Sequence, residues 1–216
     1  DYRHTHHEKE EVLFQVKGII KTADGKEVAF VLDLDMNREF TEENSLNIRM
    51  GDAAIDPLVI NFDGRAADLS SVRFEFDLDS DGESEDVPVP AKGSGFLAID
   101  LNNDGIINNG SELFGPSTGN GFSELAVHDT DANSWIDEND EVFPRLRIMT
   151  VDSLGVQNLS PVKDLGIGAL YLGMAPTRFD IRSVPADNLL GQILSTGVYL
   201  REDGTPGAIQ QLNLMA

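Results

Sequence analysis

FSELAVHDTDANSWIDENDEVFPRL, residues 122–146, sets a run of oxygen-bearing side chains between two apolar, helix-patterned flanks. Asp129, Asp131 and Asn133 stand at positions 1, 3 and 5 of a loop, Trp135 at position 7 and Asp140 at position 12. Calcium takes six to eight oxygen ligands. A tight loop supplies them from side chains at positions 1, 3 and 5, a backbone carbonyl at position 7 and a later carboxylate. Asp129, Asp131, Asn133, the Trp135 carbonyl and Asp140 are therefore candidate ligands. Two departures stand out: Ser134 where glycine eases the sharp turn, and Asp140 where a longer Glu normally binds with both oxygens. The shorter acid weakens calcium and helps magnesium compete at this loop. Phe122–Val127 and Glu138–Leu146 are expected to be helical, the second cut short or kinked by Pro144. The spacing thus predicts a short EF-hand-like helix–loop–helix.

Two further copies of the pattern lie upstream. In the first, Asp100, Asn102, Asp104, Gly105 and the Ile106 carbonyl follow the template, and Glu112 falls at position 13, so the Asn109-Gly110 turn must absorb one residue. In the second, Asp77, Asp79, Asp81, Gly82 and the Glu83 carbonyl do the same. Pro88 occupies position 12 there, so Glu85 at position 9 is the candidate closing ligand, with Asp86 as the alternative. Each of these two loops is entered from a strand-like run, Phe96–Ile99 and Val72–Phe76. A single Asp-x-Asp-x-Asp in an acidic chain reads equally well as a solvated turn. Three near-copies, each with a closing acid, predict two or three bound calcium ions, with magnesium as a competitor at the Asp129 loop.

Outside the loops the pattern is β. Val12, Phe14, Val16 and Ile20 alternate with other residues, as do Val28, Phe30, Leu32, Leu34 and Met36 after Asp24-Gly25, which is a hairpin signal. Pro57–Ile60, Ala169–Leu172, Gly197–Leu200 and Ala208–Leu214 are further strand candidates, and Asn37–Asp52 is mostly polar. The expected fold class is α+β: antiparallel hairpins at both ends, with the aspartate-rich loops and the helix–loop–helix between them. Asp1–Glu11 is expected to be a flexible polar tail and residues 12–216 a single domain. Three of the four histidines fall in that tail, where they would bind metals weakly and unselectively. The start at Asp1 rather than Met is expected of a processed or excised segment.

Composition narrows the partners. The 216 residues carry 16 Lys and Arg against 38 Asp and Glu, a net charge of −22. That excess repels nucleic acid and anionic membranes. Three calcium ions would reduce it to −16, where the carboxylates crowd most. With no cysteine, disulfides and thiolate metal sites are excluded.

Several of these segments resemble the EF-hand-like calcium-binding part of large secreted bacterial proteins of the RTX haemolysin type. The resemblance is carried by Asp56-Pro57-Leu58-Val59-Ile60-Asn61-Phe62-Asp63-Gly64, by Phe76–Gly82, by Asn109-Gly110-Ser111-Glu112-Leu113-Phe114-Gly115, by Gly121–Ala126 and by Asp129–Arg147. It covers about the middle half of the chain. It implies calcium-dependent folding in a secreted or surface setting, without catalysis by the module itself.

Three function classes follow. A structural calcium-binding module fits the loops directly. A calcium-responsive interaction module, adhesin-like or toxin-associated, would present a surface to a protein partner, although sensor EF-hands use Met-rich grooves and the five Met here are scattered. A carboxylate-based hydrolase is disfavoured, because an acid that saturates calcium is not free to move a proton. His128 reads as a residue at the end of a helix beside carboxylates, not as a base.

Overall fold

Leu58–Asn61 and Ser94–Ile99 are nearly unbroken apolar runs, which suits strands covered on both faces. The computed structural model describes residues 5–21, 26–43, 56–64, 66–183 and 188–215. It pairs these two runs, antiparallel, in the middle of a large sheet. In chain order the strands are β1 (Thr5–Lys21), β2 (Glu27–Glu43), β3 (Leu58–Asn61), β4 (Leu69–Phe76), β5 (Glu85–Pro90) and β6 (Ser94–Ile99). After the single α-helix among the described residues, α1 (Gly121–Ala126), come β7 (Trp135–Ile136), β8 (Leu146–Val151), β9 (Gln157–Pro161), β10 (Ile167–Arg182), β11 (Leu189–Arg201) and β12 (Pro206–Leu214). Eight strands form one antiparallel sheet in the order β7-β10-β11-β12-β3-β6-β8-β9, while β1–β2 and β4–β5 are separate two-stranded ribbons.

Strand alternation splits the core. Val59, Phe96, Ala98 and Met149 face the β4–β5 ribbon and meet Phe74, Phe76 and Val87. Leu58, Ile60, Leu97 and Ile148 face the other way and meet Phe122 and Leu125 of α1, with Ile136 and Phe143. Each such side chain contributes about 1.5–3 kcal/mol on burial, so the two faces together fix the sheet. The β1–β2 ribbon lays Phe14, Phe30, Leu32 and Leu34 against Val198, Leu200 and Ala208.

The expected α+β class with a helix–loop–helix is therefore corrected to a predominantly β architecture. The first helix is present as α1, six residues long. The second is not: residues 138–146 form a 3-10 turn at Phe143–Arg145 and then enter β8. Pro144 lacks the amide that would continue an α-helix. Leu146, the last residue of the expected helix, instead pairs with Ile99 of β6, and Ile148 beyond it pairs with Leu97. The first strand starts at Thr5, within the stretch expected as a tail, and β2 runs on to Glu43 through part of the polar stretch. The Asp24-Gly25 turn and residues 44–55 lie outside the described residues.

Candidate metal centre

The three loops sit where strand or helix backbone runs out. The Asp77 loop joins β4 to β5, the Asp100 loop leaves β6, and the Asp129 loop lies between α1 and β7. Their hydrogen bonds repeat. Asp77 accepts the amides of Asp81 (3.0 Å) and Gly82 (3.2 Å), one on each carboxylate oxygen. Asp100 does the same for Asp104 (3.3 Å) and Gly105 (2.9 Å), and Asp129 for Asn133 (3.2 Å) and Ser134 (2.9 Å). At position 3, Asp79, Asn102 and Asp131 each accept the amide two residues on. At position 5, Asp81, Asp104 and Asn133 accept the amides of Glu83, Ile106 and Trp135.

This winding forces left-handed backbone at position 4, where Ser80, Asn103 and Ala132 have φ of 65°, 59° and 58°. Position 6 is left-handed as well: Gly82 at 95°, Gly105 at 83° and Ser134 at 68°. Ser134 thus takes the conformation of the glycine it replaces. A left-handed non-glycine residue costs on the order of 1–2 kcal/mol. Two amide bonds to an ionised carboxylate, each worth roughly 1.5–3 kcal/mol, outweigh that.

The closing acids also share one role. Glu85 accepts the Leu78 amide at 2.8 Å, Glu112 the Leu101 amide at 2.9 Å and Asp140 the Thr130 amide at 2.7 Å, always the residue at position 2. Glu112 is buried and also takes the Asn108 amide at 2.7 Å, which absorbs the extra residue of its loop. Burial alone would push the Asp140 carboxyl up. The Thr130 and Asp137 amides, the Thr130 hydroxyl and His128 outweigh it and hold that carboxyl below the usual range. Asp104 is also lowered, chiefly by the Ile106 amide.

Carboxylate oxygens of Asp77, Asp79 and Glu85 come within 4.8 Å of one another, and so do those of Asp129, Asp131 and Asp140. Either group can hold a metal ion. Among the described residues the Asp100, Asp104 and Glu112 carboxylates form no such group, and Asn102 and Asn108 both donate to Asp104. The donors throughout are oxygens, which fits calcium or magnesium and not a thiolate-seeking ion. Trp135 packs against Tyr171 in a tilted pair with ring centroids 4.9 Å apart, and Ile136 pairs with Leu170 of β10, so the Asp129 loop is tied to the large sheet.

Sequence reasoning missed two features. Ser80, Asn109 and Ser111 bond the Asp77 loop to the Asp100 loop, a contact between segments about thirty residues apart that spacing cannot reveal. The other is Asp56, which opens one of the segments carrying the resemblance but was given no role of its own. The residue is 7% exposed, burial pushes its pKa up against a hydrogen bond from Gln211, and its Oδ1 has no partner among the described residues. The segment ending the Asp100 loop fixes it in place: the Leu58 amide donates to the Phe114 carbonyl at 2.8 Å, and Gly115 packs on the Asp56 carbonyl.

Residues 58–215 match the family model of the SPM domain. The iron-regulated protein FrpA of Neisseria meningitidis serogroup C is 29% identical over 178 residues, which is 74% of this chain and 15% of that protein. The chain spans a small fraction of that relative's length.

Proposed function

This chain belongs to the SPM domain family, and on that premise we propose that it is a calcium-binding structural module of a longer bacterial protein, secreted or displayed at the surface. The supporting observation is the threefold repeat of one hydrogen-bond pattern: the first aspartate accepts the amides at positions 5 and 6, and the closing acid accepts the amide at position 2. Each first aspartate takes an amide on each of its carboxylate oxygens, which orients its loop before any ion arrives. Bound calcium supplies positive charge among crowded acids, and its binding free energy becomes folding free energy. The module needs no turnover chemistry for this role. Calcium is its principal partner, and a charge of −22 sets it against nucleic acid and anionic membranes. Calorimetric titration of chelator-stripped protein tests the reading: two or three calcium ions should bind, and absence of saturable heat overturns it.

Asp56 favours a second reading alongside the first: cleavage of the chain's own Asp56–Pro57 bond. A desolvated carboxyl keeps its proton more readily than an exposed one, and it lies one residue from an amide whose nitrogen carries no hydrogen. Attack by a side-chain oxygen of Asp56 on its own carbonyl carbon closes a five-membered cyclic anhydride. The bond to the Pro57 nitrogen breaks, that nitrogen takes the carboxyl proton, and water opens the anhydride to a C-terminal Asp56. Carboxylates act as nucleophiles in this way, and tethering removes the entropy cost of approach. Mass spectrometry after incubation with calcium or chelator tests it. A fragment beginning at Pro57, absent from Asp56→Ala, is the expected result, and an intact chain in calcium overturns this second reading alone.

A further inference from the structure

Gly110 is the point where two of the loops touch. Its amide donates to the Asp77 carbonyl at 2.8 Å, and Asn109 forms a parallel bridge with Asp77. A Cβ added at Gly110 would lie 1.7 Å from the Leu78 carbonyl oxygen, so only glycine allows the approach. Beside it the Ser80 hydroxyl accepts the Ser111 amide at 2.9 Å and donates to the Asn109 side chain at 3.3 Å. Ser80 holds position 4 of the Asp77 loop, with φ of 65°, and is not among its candidate ligands. Asn109 and Ser111 lie between Asn108 and Glu112, the two ends of the bond that closes the Asp100 loop. The winding of one loop therefore sets the backbone on which the other closes.

From this contact we infer that the Asp77 and Asp100 loops take up calcium as one cooperative pair, coupled through Gly110 and Ser80, while the Asp129 loop binds independently. The inference rests on the calcium reading above. An ion that fixes Asp77, Leu78 and Ser80 pre-orders the acceptors for Gly110 and Ser111, so the second ion meets a loop with less freedom to lose. Coupling is reciprocal by linkage: each loop must change the other's affinity by the same factor. Among the described residues, no hydrogen bond joins the Asp129 loop to either of the other two.

The position-6 amides give one reporter per loop, because Gly82, Gly105 and Ser134 each donate to the first aspartate of their own loop. Their NMR resonances are followed through a calcium titration of the full chain. In the unaltered protein Gly82 and Gly105 should share one midpoint. Asp81→Ala should raise the Gly105 midpoint by about 5- to 150-fold, Asp104→Ala should raise that of Gly82 by the same factor, and Ser134 should keep its midpoint in both. Ser80→Gly removes the hydroxyl at a position whose φ favours glycine, so it tests the bridge without unfolding the loop. In that background the coupling factor should fall toward one. If Asp81→Ala leaves the Gly105 midpoint in place, the loops are independent and the inference is overturned. If the coupling survives Ser80→Gly and fades in high salt, it acts through the charge field and not through the bridge, which also overturns it. If no amide moves with calcium, the calcium reading falls and takes the coupling with it.

Discussion

Gly115 sits so close to Asp56 that a Cβ added to it would lie 2.0 Å from the Asp56 carbonyl oxygen. Its φ of 126° is also one that side chains rarely adopt. The two residues join the end of the Asp100 loop to the start of β3, the central strand, so their contact transmits loop order into the core. Gly115→Ala combines backbone strain with a forced separation of these segments. It should destabilise the protein by about 3 kcal/mol or more in urea unfolding with an unchanged slope. A loss below about 1 kcal/mol would mean that the segment yields easily and transmits nothing.

Asp56 also gives the fold a pH dependence of unusual sign. Burial raises its pKa above the unfolded value, so the folded state resists ionisation of this group. Below about pH 3.9 the carboxyl is protonated in both states and costs nothing; the cost builds as pH rises through the unfolded and then the folded pKa, and is fully present above. Asp56→Asn removes the ionisation and keeps the shape. The variant should melt higher than the unaltered chain at neutral pH in chelator, with the advantage shrinking toward about pH 3.5. Parallel melting curves across that range would show that Asp56 is not desolvated.

The loops were legible because their geometry is local. Asp129, Asp131 and Asn133 bond amides no more than five residues away, so spacing alone encodes the winding. The rest depends on distant partners. Glu138–Leu146 carries a helical apolar spacing, yet Leu146 and Ile148 are claimed by β6, about fifty residues earlier in the chain. The β5 strand includes Pro88 and Pro90, which mask a strand signal, and it forms because Val87 and Val89 fill the core beneath β4. Asp56 looks like any residue before a proline, and its neighbours Gln211 and Gly115 come from elsewhere in the chain.

Within the Asp129 loop, burial separates two kinds of candidate ligand. Asp131 is exposed and its removal in the metal-free protein should shift stability by no more than about 0.5 kcal/mol. Asp140 is 2% exposed and accepts from Thr130 twice and from Asp137. Asp140→Ala leaves those donors without an acceptor and should cost about 1–3 kcal/mol even in chelator. Both substitutions should abolish the calcium response of this loop. Equal stability losses in chelator would refute the division between a framework acid and a simple ligand.

On the proposed calcium reading, Trp135 should make calcium removal directly visible. It is the chain's one tryptophan; its amide is held by Asn133 at 2.7 Å and its ring packs at a tilt against Tyr171 of β10. An ion in the Asp129 loop fixes the position-5 and position-7 residues together, so the indole should change its emission as calcium is added. A site occupied at 100 times its dissociation constant stabilises the fold by about 2.7 kcal/mol. For a chain of this length that corresponds to a melting temperature higher by roughly 5–10 °C per occupied loop. Magnesium should reproduce part of the fluorescence change, because Asp140 is one methylene shorter than the glutamate that binds calcium with both oxygens. It should reproduce little of the thermal gain if the Asp77 and Asp100 loops carry most of it. A thermal gain with silent Trp135 would place the ions in those two loops alone, and silence in both observables would reduce all three loops to solvated turns.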